Sequence, residues 1–164
     1  MITMCDIDGT LITKPDTQPI DFTNTQVDYN MDVVVILEWF SGFSEIVFFT
    51  KRRRKYEAQT REIIDRVFKN NYSLIMRDDN DFSESSTATI KIGMYIEHIH
   101  DSVFAYLEDD FETCEYFTLM GVPTISPNTL SMYSALLDNM RTLSTVKDPA
   151  MLTIMAGLLG LGKK

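Results

Sequence analysis

Two acidic side chains follow the first apolar segment of the chain. Asp6 and Asp8 come directly after this segment and are themselves followed by Gly9 and Thr10. Two carboxylates this close repel each other unless a cation neutralises them, so the pair predicts bound Mg²⁺, which prefers oxygen ligands. Gly9 permits a tight turn that brings backbone N–H groups toward a phosphate. A carboxylate nucleophile such as Asp6 can divide the hydrolysis of a phosphate ester into two easier steps; a solvated acidic turn is the alternative interpretation.

Strand-forming and helix-forming segments alternate along the chain. Strands are predicted at 2–7, 45–49, 72–76, 103–107 and 122–125, and helices at 32–40, 55–70, 87–98 and 111–120. This alternation predicts an α/β fold of three layers, with a central, mainly parallel sheet between helices. Ligands bind at the carboxyl ends of the strands in such sheets, which is where the first strand delivers Asp6. Residues 9–30 are polar and turn-rich and are predicted as loop.

The composition is that of an ordinary globular domain. The chain has 164 residues, 45% of them hydrophobic, and a formal net charge of −9. This charge argues against broad, sequence-independent binding to nucleic acid, which depends on Lys and Arg at phosphates. No segment has the roughly 20 uninterrupted apolar residues that span a bilayer, and no secretory signal is seen at the N-terminus. With two isolated cysteines, a cytoplasmic location with reduced thiols is expected.

The segment Asp6-x-Asp8-Gly9-Thr10 at the end of the first strand resembles the first signature of the haloacid dehalogenase (HAD) superfamily of phosphatases. That family carries three further signatures, and this chain has a counterpart of each in the same order. They are a Ser or Thr ending the second core strand, a Lys near the start of a later helix, and an acidic pair ending a further strand. The counterparts are Thr50, Lys91 and the pair Glu108 and Asp109.

The resemblance implies a role for each of these residues. Asp6 would attack phosphorus and bind Mg²⁺, while Asp8 would protonate the leaving oxygen, then activate water, and bind the metal through its backbone carbonyl. Thr50 and Lys91 would hold the transferring phosphoryl oxygens. Glu108 and Asp109 would complete the metal site.

Within the superfamily, the sequence is most similar to the 3′-phosphatase domain of phage-type polynucleotide kinase/phosphatase. The similarity rests on three stretches, at 50–68, 74–91 and 108–123. Two residues depart from that pattern: Lys51 stands where the family usually has Gly, and Glu108 where it usually has Asp. The longer Glu108 side chain would either shift the ion or leave the direct contact to Asp109. No Gly-rich phosphate-binding loop of a kinase is found.

A block of five basic residues at 51–55 follows Thr50 at the expected rim of the site. Basic residues are unfavourable near a helix N-terminus, and such local conflict is typical of a functional site. Lys51, Arg52 and Arg77 are therefore predicted to contact the phosphate of the substrate, with Arg52 the first choice. A solvated helix start is the alternative.

The spacing of the signatures leaves no room for a sizeable cap domain. An uncapped site suits a strand end or another macromolecule, or a small substrate if a second subunit closes it. The open site, the basic rim and the resemblance to the 3′-phosphatase domain together favour a nucleic-acid 3′-phosphate or a nucleotide as the substrate. A phosphatase of another small-molecule or protein phosphate is the second hypothesis, and a non-enzymatic interaction protein on this fold is the third.

The C-terminal segment differs in character from the rest. Residues 1–145 are predicted to form the phosphatase domain and residues 146–164 an apolar tail. The tail is interpreted as a short helix that packs on the domain, or as an interaction segment through which a homo-oligomer forms, since exposed apolar surface usually signals association.

Overall fold

A computed structural model of the chain describes residues 1–13, 21, 23–81, 84–130 and 157. The five strands are β1 (Ile2–Cys5), β2 (Glu45–Arg53), β3 (Tyr72–Arg77), β4 (Val103–Leu107) and β5 (Thr124–Ile125). The helices are α1 (Met31–Phe40), α2 (Glu57–Val67), α3 (Thr87–His98), α4 (Phe111–Leu119) and α5 (Pro127–Leu130), with a short 3₁₀ turn at Arg54–Tyr56 before α2.

The strands form one sheet in the order β3-β2-β1-β4-β5, and every neighbouring pair is parallel. β1 lies at the centre, and all four of its residues are buried. Because all strands run the same way, their carboxyl ends share one edge of the sheet. The predicted α/β architecture is therefore confirmed.

Helices cover both faces of the sheet. On one face, α1 and α2 pack through Val33, Ile36 and Ile63 into a core that also takes Phe48. On the other face, α3 and α4 contribute to a second core that includes Phe117. The two separate cores make the three layers of the prediction.

Several element boundaries differ from those expected. β1 ends at Cys5 rather than residue 7, because Ile7 begins a turn in which its carbonyl accepts a hydrogen bond from Ile12 N. β2 continues past Thr50 to Arg53, since Arg53 pairs with Arg77 of β3 after a register shift. The helix expected at 55–70 accordingly begins at residue 57 and ends at 67.

Between β1 and β2, the described residues contain α1 and a turn, and residues 14–20 and 22 fall outside the described part. The described residues of this stretch include no cap domain. No helix among the residues described is long and apolar enough to cross a bilayer. Almost all of the predicted tail, 146–164, lies outside the described residues, as does the boundary at residue 145.

Candidate active site

The central strands bring three acidic residues to one edge of the sheet. The backbone N–H of Asp6 donates to the Leu107 carbonyl oxygen at 2.9 Å, so β1 and β4 end side by side. Asp6 follows β1, and Glu108 and Asp109 follow β4. The register of the two parallel strands, rather than proximity in sequence, is what assembles this cluster.

Lys91 lies between two of these carboxylates. Its ammonium group is 2.8 Å from Asp6 Oδ1 and 2.5 Å from Glu108 Oε2, and the residue is only 1% exposed. Ser86 caps the N-terminus of α3 by accepting from Thr89 N, which starts the helix one turn before Lys91. Burial alone lowers the pKa of Lys91, but the two carboxylates outweigh it and raise the pKa above its usual value. Lys91 is therefore a fixed positive charge.

The Glu108 side chain is held on both oxygens. Oε1 accepts from Asp110 N at 3.0 Å, and Oε2 accepts from the Tyr106 hydroxyl as well as from Lys91. Burial, together with the nearby carboxylates of Glu108 and Asp6, raises the pKa of Tyr106 well above its usual value, so its hydroxyl stays a donor. Sequence reasoning missed Tyr106; the available signal was its position two residues before Glu108, on the same side of the strand.

Asp109 packs against the turn after β1. Gly9 has a φ of +96°, and a Cβ placed on it would lie 2.0 Å from Asp109 Oδ2. The Thr10 hydroxyl donates to Asp109 Oδ1 at 3.3 Å. A glycine at this position is thus required both by the backbone conformation and by the space that the Asp109 carboxylate occupies.

The acidic cluster fits a hard divalent cation. Asp6, Glu108 and Asp109 each offer a carboxylate oxygen, and these atoms lie within 4.8 Å of one another. An all-oxygen donor set of this kind suits Mg²⁺. The side chains predicted to hold the metal therefore lie close together; they are those of Asp6, Glu108 and Asp109. The Asp8 side chain instead pairs with Arg52.

The environment of Asp6 disfavours its charged form. Burial raises the pKa of its carboxyl to about 7; Lys91 opposes the rise, and the Glu108 and Asp8 carboxylates add to it. Asp6 and Glu108 share the single ammonium group of Lys91, which leaves an excess of negative charge. A bound cation would remove that excess and keep Asp6 ionised at neutral pH.

The Asp8 carboxylate forms a bidentate pair with Arg52. Arg52 Nε donates to Asp8 Oδ2 at 2.8 Å and Nη2 donates to Oδ1 at 2.7 Å. Arg52 is 1% exposed and also approaches the Thr60 hydroxyl at 3.5 Å. The expectation that Arg52 lies at the rim of the site is wrong, because the extension of β2 points this side chain inward to Asp8.

The remaining predicted residues lie around this centre. Thr50 is fully buried on β2, and its hydroxyl accepts from Arg52 N at 3.2 Å. Lys51 Nζ donates to Thr87 Oγ1 at 2.6 Å, at the start of α3. Arg77, at the end of β3, pairs with Asp81 at 2.7 Å. Lys51 and Arg77 thus belong to the outer part of the site, away from the buried acids.

Comparison with known proteins finds a family model and solved structures that match this chain, two of which are Pnkp1/Rnl/Hen1 complexes. Residues 1–126 match the family model of the polynucleotide kinase PNKP phosphatase domain. A structure of the Pnkp1/Rnl/Hen1 RNA repair complex superposes with a TM-score of 0.68 at 22% identity, over 76% of this chain and 41% of that chain. A second Pnkp1/Rnl/Hen1 complex gives 0.67 at 22% identity, over 76% and 45%. No curated protein matches the sequence.

The two kinds of comparison carry different weight. At 22% identity the structural likeness shows the shared fold alone, and this chain spans less than half the length of either solved chain. The family model, in contrast, covers all the strands of the sheet and every acidic residue of the site. The chain therefore belongs to the family of polynucleotide kinase PNKP phosphatase domains, and it is a HAD-type phosphatase.

Proposed function

We propose that the protein is a Mg²⁺-dependent phosphomonoester hydrolase that acts through an aspartyl-phosphate on Asp6, on 3′-phosphate ends of nucleic acids or on nucleotides. The observation that carries the proposal is the contact of Asp6 with Lys91, at 2.8 Å, inside a cluster of carboxylates at the carboxyl edge of the sheet. This arrangement combines a nucleophile, a fixed cation for phosphoryl oxygens and a donor set for a metal.

In the first step, an Asp6 carboxylate oxygen attacks phosphorus and the bond from phosphorus to the leaving oxygen breaks. Asp8 gives its proton to that oxygen. Lys91 and the Thr50 hydroxyl hold the phosphoryl oxygens while charge develops on them. Burial of these groups excludes water, which strengthens each of these contacts. The products are the aspartyl-phosphate on Asp6, the free alcohol and the Asp8 carboxylate.

In the second step, the Asp8 carboxylate takes a proton from a water molecule whose oxygen attacks phosphorus. The bond between phosphorus and Asp6 breaks, inorganic phosphate leaves, and Asp8 carries a proton again. The bidentate contact with Arg52 suits the ionised form of Asp8 that takes this proton, and it must open at one carboxylate oxygen while Asp8 carries the proton of the first step. We therefore propose that Arg52 is a positioning residue that sets the direction of the Asp8 carboxyl, in place of a direct contact with the substrate.

Asp6 and Asp109 are the residues we propose as direct side-chain ligands of the metal, with the Asp8 backbone carbonyl as a further ligand. Both Glu108 oxygens already accept hydrogen bonds, from Asp110 N on one side and from Lys91 and Tyr106 on the other. Glu108 would act mainly by holding Lys91. When bound, Mg²⁺ supplies positive charge to the oxygens of the transferring phosphoryl group.

Two features support a nucleic-acid 3′-phosphate or a nucleotide as the substrate. The family is that of polynucleotide kinase phosphatase domains, and the part of the chain that the structure describes includes no cap domain that would enclose a small metabolite. An RNA repair complex also stands among the solved structures with this fold. The open site lets a chain end enter with the rest of the polymer outside.

The test is the release of phosphate from a 3′-phosphorylated oligonucleotide and from p-nitrophenyl phosphate, with Mg²⁺ and with EDTA, with Asp6→Asn as control. Turnover of both substrates that disappears in EDTA and in Asp6→Asn is expected, with a strong preference for the oligonucleotide. Hydrolysis of the generic ester alone would keep the phosphatase chemistry and assign the substrate to another class of phosphate. Equal turnover in EDTA would contradict the metal dependence.

A further inference from the structure

Lys51 contacts the first turn of α3 from the carboxyl end of β2. Its ammonium group donates to the Thr87 hydroxyl at 2.6 Å, and Thr87 is the first residue of α3. Both residues are only partly exposed. Lys51 directly follows Thr50 on β2, and α3 carries Lys91. The contact therefore joins the two elements that carry the groups proposed to hold the phosphoryl oxygens.

Thr87 and Lys91 lie on the same face of α3. They are four residues apart, and side chains at this spacing stand one above the other, one helical turn apart. On this face Lys91 reaches Asp6 and Glu108, and Thr87 receives the contact from Lys51 one turn earlier. A rotation or shift of the first turn of α3 would thus move the Lys91 ammonium relative to both carboxylates.

The apolar side chains that anchor α3 lie mostly beyond its first turn. Four of them belong to the second core or pack against it: Ile90, Ile92, Met94 and Tyr95. In the first turn Ala88 is buried, but a single methyl group buries little apolar surface. The hydrogen bond from Lys51 therefore holds the first turn to the sheet at a point ahead of Lys91.

The charge of Lys51 does not suit this place in the fold. The N-terminus of a helix carries partial positive charge, so an ammonium group beside α3 is repelled. Asp110 offsets part of this cost: burial raises the pKa of its carboxyl, but hydrogen bonds from Thr113 and the charges of Lys91 and Lys51 bring it below its usual value. Lys51 also stands where the resembled family usually has Gly, which has no side chain to reach α3. Such a local conflict is typical of a functional residue.

We propose that Lys51 is a positioning residue that acts through Thr87. By fixing the first turn of α3 to the end of β2, it keeps the Lys91 ammonium directed at the transferring phosphoryl group, and it does not itself contact the substrate. The proposal rests on the proposed function and deepens it, because it adds a residue that places one of the groups holding the phosphoryl oxygens.

The test is a double-mutant cycle on the full chain, with p-nitrophenyl phosphate as the substrate in Mg²⁺. Lys51→Met removes the ammonium, and Thr87→Val removes the hydroxyl at nearly constant shape. Each single variant should lower kcat by about fivefold to tenfold and leave KM within about twofold of wild type, as for an interaction made only in the transition state. The double variant should lose no more than the more affected single variant, because both changes break the same contact.

Two control variants and one conservative variant separate positioning from a general loss of charge or of a hydroxyl. Lys69→Met removes an exposed lysine beyond the end of α2. Thr89→Val removes an exposed hydroxyl in the same turn of α3 that contacts Ser86 instead of Lys51. Both controls should keep the wild-type kcat. Thr87→Ser retains the hydroxyl, so it should recover most of the kcat that Thr87→Val loses.

Amide hydrogen exchange provides a readout that does not depend on turnover. The Ile90 amide donates to the Ser86 carbonyl oxygen at 3.1 Å, so its exchange reports the opening of the first turn of α3. Lys51→Met should speed this exchange by about fivefold, the factor for the loss of one ordinary hydrogen bond. Lys69→Met should leave the exchange unchanged.

The outcomes separate this proposal from the proposed function. If the losses of kcat in Lys51→Met and Thr87→Val multiply in the double variant, if Lys51→Met only raises KM, or if either single variant keeps the wild-type kcat, the positioning role is rejected and the proposed function stands. Equal exchange of the Ile90 amide in Lys51→Met and Lys69→Met rejects it as well. If the wild-type protein releases no phosphate from p-nitrophenyl phosphate in Mg²⁺, the proposed function fails and the positioning role fails with it.

Discussion

The carboxylates of Asp6 and Asp8 follow β1 on the same turn, and each forms a buried ion pair with a residue from elsewhere in the fold. The two pairs differ in how completely the carboxylate charge is neutralised. Asp8 and Arg52 form a closed pair, in which two parallel hydrogen bonds occupy both carboxylate oxygens. Asp6 and Lys91 form an open pair, because the same ammonium also serves Glu108 and leaves an excess of negative charge. A planar guanidinium fixes a carboxylate in direction, whereas a compact ammonium can be shared.

The difference indicates what each pair is for. The closed pair requires no further ion, so it can hold a proton-transferring carboxyl in place. The open pair leaves carboxylate charge that a cation must balance, and the third acid, Asp109, lies close enough to help bind that cation. The structure thus separates the positioning of Asp8 from the site where metal and phosphate would meet.

The largest effect is expected from breaking the open pair with Lys91→Met. Removing the ammonium leaves two buried carboxylates without their cation, which costs about 3–5 kcal/mol of folding free energy and abolishes turnover. Urea denaturation and phosphate release measure the two effects. Adding Glu108→Gln should recover part of the stability but none of the activity. If Lys91→Met alone were as stable as the wild-type protein, the Lys91 ammonium would not be what balances the charge of the Asp6 and Glu108 carboxylates.

Breaking the geometry of the closed pair with Arg52→Lys keeps the charge but loses the bidentate contact. Since general acid and base catalysis contributes about 10²–10⁴-fold, a misdirected Asp8 should lower kcat by about 10²-fold. Mg²⁺ affinity, measured by isothermal titration calorimetry, should stay at the wild-type value because the bidentate partner of Arg52 is the Asp8 side chain, which is not among the acids of the metal cluster. A parallel loss of Mg²⁺ affinity would mean that the two pairs are not separate.

A pH titration sharpens the comparison further. In the metal-free protein the Asp6 carboxyl has a pKa of about 7, raised by burial, so at lower pH it is mainly protonated. Mg²⁺ binds the ionised form and must displace this proton, so its apparent affinity should rise about tenfold per pH unit up to pH 7 and then level off. Calorimetry between pH 5.5 and 8.5 measures the profile. The Arg52→Lys variant should give the same curve. An Mg²⁺ affinity that stays constant down to pH 5.5 would contradict the raised pKa of Asp6.

The smallest effect concerns the support of Glu108. Tyr106→Phe removes the hydroxyl that donates to Glu108 and should cost about 1–2 kcal/mol of stability, as for a buried hydrogen bond, with a several-fold loss of Mg²⁺ affinity. Tyr29→Phe is the matched control, since the Tyr29 hydroxyl donates to the Ile63 carbonyl oxygen of α2 at 3.0 Å and not to an acid of the metal cluster. It should lose similar stability and no Mg²⁺ affinity. Equal Mg²⁺ affinity in both variants would leave Tyr106 a purely structural residue.

The sequence predicted the parts of the site that lie at strand ends and missed those that depend on distant pairing. The positions of Asp6 and Glu108 follow from alternating strands and helices, because parallel strands must end together. The inward direction of Arg52 does not, since it depends on β2 continuing past Thr50 and on a partner 44 residues earlier. Tyr106 could be assigned to the strand from its type, but the partner of its hydroxyl is a tertiary contact.

The contact between Gly9 and Asp109 bears on which sequences this fold can accept. Even the single methyl group of alanine at position 9 would occupy the place of the Asp109 carboxylate, 2.0 Å away, and would have to adopt a left-handed backbone conformation. Gly93 in α3 is the opposite case, because a Cβ there meets nothing within 4 Å, and alanine would favour the helix by about 1 kcal/mol. In a library of random variants selected for phosphatase activity, position 9 would stay fixed while position 93 drifted. Two glycines that look alike in the sequence therefore set opposite limits on how the chain can diverge.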